Sequence, residues 1–118
     1  MGLPRNKVIR RTSEFQHART FGSRQECGFF LWNLVRQPES ASGERKLGVI
    51  ATRRFGNAVE RNRARRRLKS LFREHQQLLP EGCHLVLVAR RRMKRAAWSE
   101  LVETFLKMAS REKEGRVQ

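Results

Sequence analysis

Acidic residues are scarce in this chain. Its 118 residues carry 11 Asp+Glu against 27 Lys+Arg, a formal charge of +16. Charge of one sign at that density repels itself in the folded state, so a polyanionic partner is the simplest reason for it. Arginine far outnumbers lysine. Its planar donor fork matches phosphates and base edges and stacks on rings, which favours nucleic acid. The shortage of carboxylates also leaves no pair suited to general acid/base work or a two-metal site. Glu14, Glu60, Glu74 and Glu100 read as helix-surface residues. A Gly-rich phosphate loop, an HExxH pair and a nucleophile elbow are all absent, and His17, His75 and His84 are scattered. Any catalysis in which the protein takes part is expected to draw its chemistry from elsewhere.

Cysteine and long apolar runs are equally thin. Cys27 and Cys83 are the only cysteines, and neither lies in a CxxC or a Cys/His cluster. They are expected to be reduced thiols on buried strands of a cytoplasmic protein. No apolar run approaches the roughly 18 residues of a membrane span. The basic N-terminus is not followed by an apolar segment, so no signal peptide is expected. A first helix fits that region better than a transit peptide does.

Hydrophobic residues make up 38% of the chain and recur at regular spacings, which argues against disorder over most of the length. The length is that of one domain with one modest core. Residues 1–12 are basic and aperiodic and read as a flexible arm. Residues 13–111 form the domain, and 112–118 read as a frayed tail.

Ser13 with Gln16 has the form of a capping box opening a short helix to about Phe21. Cys27–Val35 (CGFFLWNLV) reads as an aromatic strand. Gln37–Glu44, with Pro38 and Gly43, reads as a loop and a hairpin connection to a second strand, Lys46–Thr52. Asn57 and Glu60 open a long helix to about Gln77. His84–Ala89 is apolar on both faces and predicts a central strand. After the basic connector Arg90–Arg95, a last helix is predicted from Ala96 to about Arg111. Its apolar stripe is Trp98, Leu101, Val102, Phe105, Leu106 and Ala109. The order α-β-β-α-β-α predicts an α+β sandwich in which helices cover a small sheet on one face.

Three features carry the functional reading. Arg53–Lys69 (RRFGNAVERNRARRRLK) has eight basic residues in 17 and one acidic residue. On a helical wheel of about 100° per residue, Ala64, Leu68, Leu71, Phe72, Leu78 and Leu79 face the sheet. Asn62, Arg66, Lys69 and Arg73 fall together on the far side with Arg65 at its edge, while Arg63 and Arg67 form a third flank. Arg61 lies at the core angle in the first turn. Like charges one turn apart weaken an isolated helix, so a face this uniform reads as a docking face for RNA or DNA. The second feature is the cluster Arg90, Arg91, Arg92, Lys94 and Arg95, a further backbone contact. The third is aromatic. Phe15 lies on the first helix and Phe29, Phe30 and Trp32 on the first strand, where alternation sends Phe30 and Trp32 one way and Phe29 and Leu31 the other. One set can be core while the other lines a cleft against the first helix, where rings beside arginines stack unpaired bases.

The run FGNAVERNRARRRLKSLFRE resembles the signature of the bacterial ribonuclease P proteins, a basic RN-centred motif after a GNAV-like turn. The basic arm, the helix with Phe15, the aromatic strand, the Pro-containing loop and the LGV before the motif agree with it. The resemblance implies an endoribonuclease subunit of tRNA 5′ maturation that binds ribonuclease P RNA and the 5′ leader of precursor tRNA, the RNA and its Mg²⁺ doing the chemistry. It implies a left-handed βαβ crossover, against the usual hand. By position, Arg61, Asn62, Arg65, Arg66, Lys69 and Arg73 are expected to meet the catalytic RNA, with Arg53, Arg54, Arg90, Arg91 and Arg92 as additional contacts. Phe15, Arg19 and Trp32 are expected to line the leader cleft. Arg19 stands where the family tends to carry a second aromatic residue, one helical turn after Phe15, and would stack in its place. The protein is expected to be monomeric outside the holoenzyme. Whether it binds metal itself is open at this point, and so is a ribosomal or general RNA-binding role without cleavage.

Overall fold

A computed structural model describes residues 3–36 and 43–114. Those residues form four strands and three α-helices. They are α1 (Thr12–Phe21), β1 (Ser23–Glu26), β2 (Phe30–Arg36), β3 (Lys46–Ile50), α2 (Ala58–His75), β4 (Cys83–Ala89) and α3 (Trp98–Glu114). One sheet runs in the order β1-β2-β4-β3. The strand predicted to be central, β4, is central: it pairs antiparallel with β2 and parallel with β3. Hence β3-α2-β4 is a βαβ unit. The expected hairpin between the second and third of these strands is not formed, because β4 lies between them. Most of its Pro-containing loop falls outside the described residues.

The hairpin is made earlier. β1 is a polar edge strand, SRQE, whose composition carries no strand signal. The apolar run expected to begin a strand at Cys27 instead opens with a turn. Gly28 takes φ +89°, a conformation that costs glycine little, and the Cys27 N–H donates to the Phe30 carbonyl (2.9 Å).

Helices cover both faces of the sheet, not one. Phe30, Trp32 and Leu34 of β2 and Leu85, Leu87 and Ala89 of β4 pack in one core with Leu68 and Phe72 of α2 and Leu101 and Phe105 of α3. The opposite parity, Val35 and Val86 with Val88 and Ile50 beside them, packs with Phe15 and Ala18 of α1. Two covered faces explain why both parities of the strands are apolar.

The helices depart from expectation at their ends. In α1 the start is Thr12, and Glu14 accepts from the Arg10 and Arg11 N–H groups (3.4 Å each), so Ser13 does not cap. α2 opens as predicted: Asn57 Oδ1 accepts from the Glu60 N–H (2.8 Å), and the Glu60 carboxylate accepts from the Asn57 N–H (2.9 Å). A 3₁₀ turn, Gln76–Leu78, follows it and leaves Leu78 exposed while Leu79 stays buried. α3 starts after a 3₁₀ turn at Arg91–Arg95. Trp98 and Leu106 are 36% and 38% exposed, so its buried stripe is Leu101, Phe105, Met108 and Ala109 instead.

Neither end segment is loose where it is described. Ile9 is buried, its N–H donates to the Leu47 carbonyl (2.9 Å), and Val8 bridges Leu47 in parallel. The supposed arm thus extends the β3 edge of the sheet. At the other end α3 continues to Glu114. Glu112 is only 3% exposed and accepts from Trp32 Nε1 (2.9 Å) and Ser23 Oγ (3.2 Å). Residues 115–118 lie outside the described set. Both cysteines are free; burial pushes the Cys27 thiol up to about 11 and the Cys83 thiol up to about 12.

Candidate nucleic-acid interface

The α1 side of the sheet holds a groove of about 510 Å³. Its floor is apolar, from Leu31, Ile50, Val86 and Val88, and its rim carries Arg19, Arg24 and Arg90. Phe15 reaches the floor because β3 has glycine at 48, where a Cβ would stand 2.6 Å from the Phe15 ring. The LGV segment therefore seats the ring. Arg19, four residues on, lines the same groove, so the helix presents a ring and a guanidinium on one face.

Trp32 does not line this groove. It is 0% exposed on the opposite face of the sheet, edge-on to Phe105 at 5.2 Å between ring centroids. The strand pleat puts Leu31 and Asn33 in the groove in its place. With both parities of FFLWN large or apolar, pattern alone could not say which faced α1. Phe29 lies in the turn before β2, half-buried, and Arg92 lies over its ring at 5.2 Å. Arg24 was missed because its strand was missed.

The rim is partly neutralised. Arg90 holds the exposed Glu26 carboxylate through Nε and Nη2, both at 3.0 Å. A phosphate entering at Arg90 must displace that carboxylate. Glu26→Gln is therefore expected to tighten binding of a single-stranded RNA oligonucleotide about 2- to 5-fold, the scale of an exposed ion pair. Fluorescence anisotropy at low salt measures it, and unchanged or weaker affinity would remove Arg90 from the contact path.

On α2 the basic residues divide by what they touch. Arg61 donates to the Gly56 carbonyl (2.7 Å) and Arg65 to the Ala51 carbonyl (3.2 Å) and Asn62 Oδ1 (3.1 Å). Arg67 donates to the carbonyls of Met93 (3.2 Å) and Ala96 (2.7 Å), tying α2 to the turn before α3. These residues hold α2 in place and keep spare donors, since a guanidinium has five. Asn62, Arg63, Arg66 and Arg73 are exposed and Lys69 is half-buried. Arg53 and Arg54 are exposed in the turn that leads into the helix.

The second cluster splits. Arg90 belongs to the first groove, while Arg91, Arg92 and Arg95 line another of about 520 Å³ with Phe29. Lys94 reaches Glu60 at 3.5 Å and lies over the Phe55 ring at 5.5 Å, which fixes this cluster beside the start of α2. Among the described residues no three His, Cys, Asp or Glu side chains gather as metal ligands. Nor, among them, is any helix long and apolar enough to cross a membrane.

Residues 3–113 match the family model described as Ribonuclease P. The chain is similar to the ribonuclease P protein component of Desulfovibrio desulfuricans, 35% identical over 96 residues, covering 80% of this chain and 72% of that protein. It is similar to the component from Micrococcus luteus, 33% identical over 101 residues, covering 80% and 76%. In fold it matches the solved RNase P protein of Staphylococcus aureus with TM-score 0.75 at 21% identity, over 94% of this chain and 96% of that one. The protein from Thermotoga maritima matches with TM-score 0.75 at 21% identity, over 88% and 96%. At that identity the two structures speak for the fold alone.

Proposed function

Because the chain belongs to the ribonuclease P protein family, we propose that it serves as the protein subunit of a ribonuclease P holoenzyme in the cytoplasm. In this reading α2 docks on the catalytic RNA, and the groove under α1 holds the single-stranded 5′ leader of precursor tRNA. The observation that carries it is the makeup of that groove: an apolar floor, one ring and three arginines at the rim. Such a surface accepts any sequence, because every base has a π-face and every nucleotide a phosphate. The exposed side chains of α2 meet folded RNA through its backbone, which reads shape more than sequence.

The RNA supplies the chemistry. Mg²⁺ would be held by RNA phosphates. The protein, a monomer until assembly, offsets the repulsion between catalytic RNA and substrate and so lowers the Mg²⁺ that cleavage needs.

The test is reconstitution with a bacterial ribonuclease P RNA and 5′-labelled precursor tRNA, at Mg²⁺ too low for the RNA alone. Cleavage at the mature 5′ end only with both components present is the expected result. RNA binding without stimulation would return the protein to a general RNA-binding role, and cleavage by protein alone would mean an unrecognised active site. Phe15→Ala is expected to weaken binding of leader-bearing substrate about 10-fold, the scale of one stacked base, and to leave leaderless substrate unchanged. Equal losses on both substrates would move Phe15 from the contact to the core.

A further inference from the structure

The basic turn before α3 is anchored from inside and carries its cations outside. Met93 is only 1% exposed, and Arg67 of α2 holds the turn through the carbonyls of Met93 and Ala96. Side chains three apart eclipse in a 3₁₀ turn, so Arg92 and Arg95 share one side. Arg91, Arg92 and Arg95 are exposed. Among the described residues none of these three has a carboxylate within ion-pair distance, and Glu60 pairs with Lys94 instead. Like charges this close repel one another in the free protein, and a polyanion relieves them.

Phe29 gives the same groove a π-face. Arg92 lies over its ring, and a Cβ at Gly28 would stand 3.0 Å from Arg92 Nη1, so the glycine of the turn leaves room for the guanidinium. The Arg90 N–H donates to the Phe29 carbonyl (3.0 Å), which fixes ring and basic turn to each other. The groove's volume of about 520 Å³ falls in the ~300–1,000 Å³ range of small-ligand sites. A ring among arginines suits one unpaired nucleotide, with the base on the ring and the flanking phosphates on the guanidiniums.

This groove is separate from the one under α1. Phe29 packs against the core that the sheet shares with α2 and α3, whereas the other groove opens on the opposite face. It is continuous with α2: Lys94 also lines a small cavity, of about 60 Å³, together with Arg63 and Arg67.

We propose that the groove at Phe29 is a second RNA site, which takes one unpaired nucleotide of the catalytic RNA. The base stacks on Phe29, and Arg91, Arg92 and Arg95 hold the flanking phosphates, Arg92 leaving the ring as the base arrives. Continuity with α2 makes the catalytic RNA the occupant. The inference rests on the reading of α2 as the helix docked on that RNA.

The experiment measures assembly of the full chain with ribonuclease P RNA as a function of salt. Phe29→Leu keeps apolar bulk and removes the π-face. It is expected to weaken assembly about 5- to 30-fold, the scale of one stacked base, with an unchanged salt slope because no phosphate contact is lost. Arg91→Ala/Arg95→Ala is expected to flatten the slope by about two units. Phe29→Trp should assemble at least as tightly as wild type. In a Trp98→Phe background, where the other indole, Trp32, is buried, its emission should be quenched when the RNA binds. Affinity of the assembled holoenzyme for precursor tRNA should not change.

Wild-type assembly by Phe29→Leu, or an unquenched indole at 29, would overturn the proposal. So would a Phe29→Leu loss confined to precursor tRNA, which would make the substrate the occupant. If Phe29→Leu does not fold, the indole and the arginine pair decide, and unquenched emission with an unchanged slope would overturn it. Wild-type assembly by a variant of the far side of α2, Arg66→Ala/Lys69→Ala, would overturn the reading of α2 and this inference with it. Wild-type assembly by Phe29→Leu alone would overturn only the second site.

Discussion

The double variant Arg66→Ala/Lys69→Ala is expected to bind ribonuclease P RNA roughly 10- to 100-fold more weakly, on the scale of two charged hydrogen bonds. The logarithmic salt dependence of assembly should flatten by about one unit per lost phosphate contact, hence about two units for the pair. Arg66 and Lys69 point away from the sheet on α2, and Arg66 is exposed. The α2 arginines Arg61, Arg65 and Arg67, by contrast, bond the domain's own carbonyls. The free protein should lose no stability. Relief of like-charge repulsion at i, i+3 and i, i+4 should raise it by a few tenths of a kcal/mol. Weaker RNA binding with equal or greater thermal stability is the signature of a docking face. Unchanged affinity and slope would take this face out of the RNA interface.

Trp32→Ala is expected to cost about 3–5 kcal/mol of folding free energy, the range for emptying a buried indole site. That is a large fraction of the ~5–15 kcal/mol that holds a domain of this kind together. The indole is fully buried, meets Phe105 edge-on, and donates from Nε1 to Glu112, which also accepts from Ser23. One residue thereby joins β2, α3 and the start of β1. Trp32→Phe should fill most of the space but leave the Glu112 carboxylate one donor short, at about 1–3 kcal/mol. Denaturant titration measures both. At temperatures where each variant is folded, affinities for leader-bearing and leaderless tRNA should fall together or not at all. Selective loss on leader-bearing tRNA with unchanged stability would put the indole back in the groove.

How far the sequence can be read depends on how far apart the deciding contacts are. The α2 helix was legible because its information is local: the Asn57–Glu60 box, the apolar arc of Ala64, Leu68, Leu71 and Phe72, and the cationic remainder are all set by spacing along one helix. The central place of β4 was legible for a similar reason, since apolar residues on both faces cannot lie at an edge. β1 was not legible. Four polar residues form a strand only because Leu31, Trp32, Asn33 and Leu34 present a free edge opposite them. The ordered N-terminal segment was missed likewise, because Ile9 is held by Leu47, 38 residues away.

The candidate site divides along the same line. Charge, arginine bias and the RN-centred motif are properties of composition and order, and by themselves they pointed to a polyanionic partner and determined which family the chain resembles. The groove was decided by the tertiary structure. Phe30-Leu31-Trp32-Asn33 alternates correctly in either register, and only the packing of helices on both faces sends Trp32 to the core and Leu31 and Asn33 to the groove. Only three-dimensional proximity shows that Arg67 bonds the turn before α3, or that Glu26 holds Arg90. A side chain's chemistry is written in the sequence, but whether it faces water, core or ligand depends on segments far along the chain that no local pattern encodes.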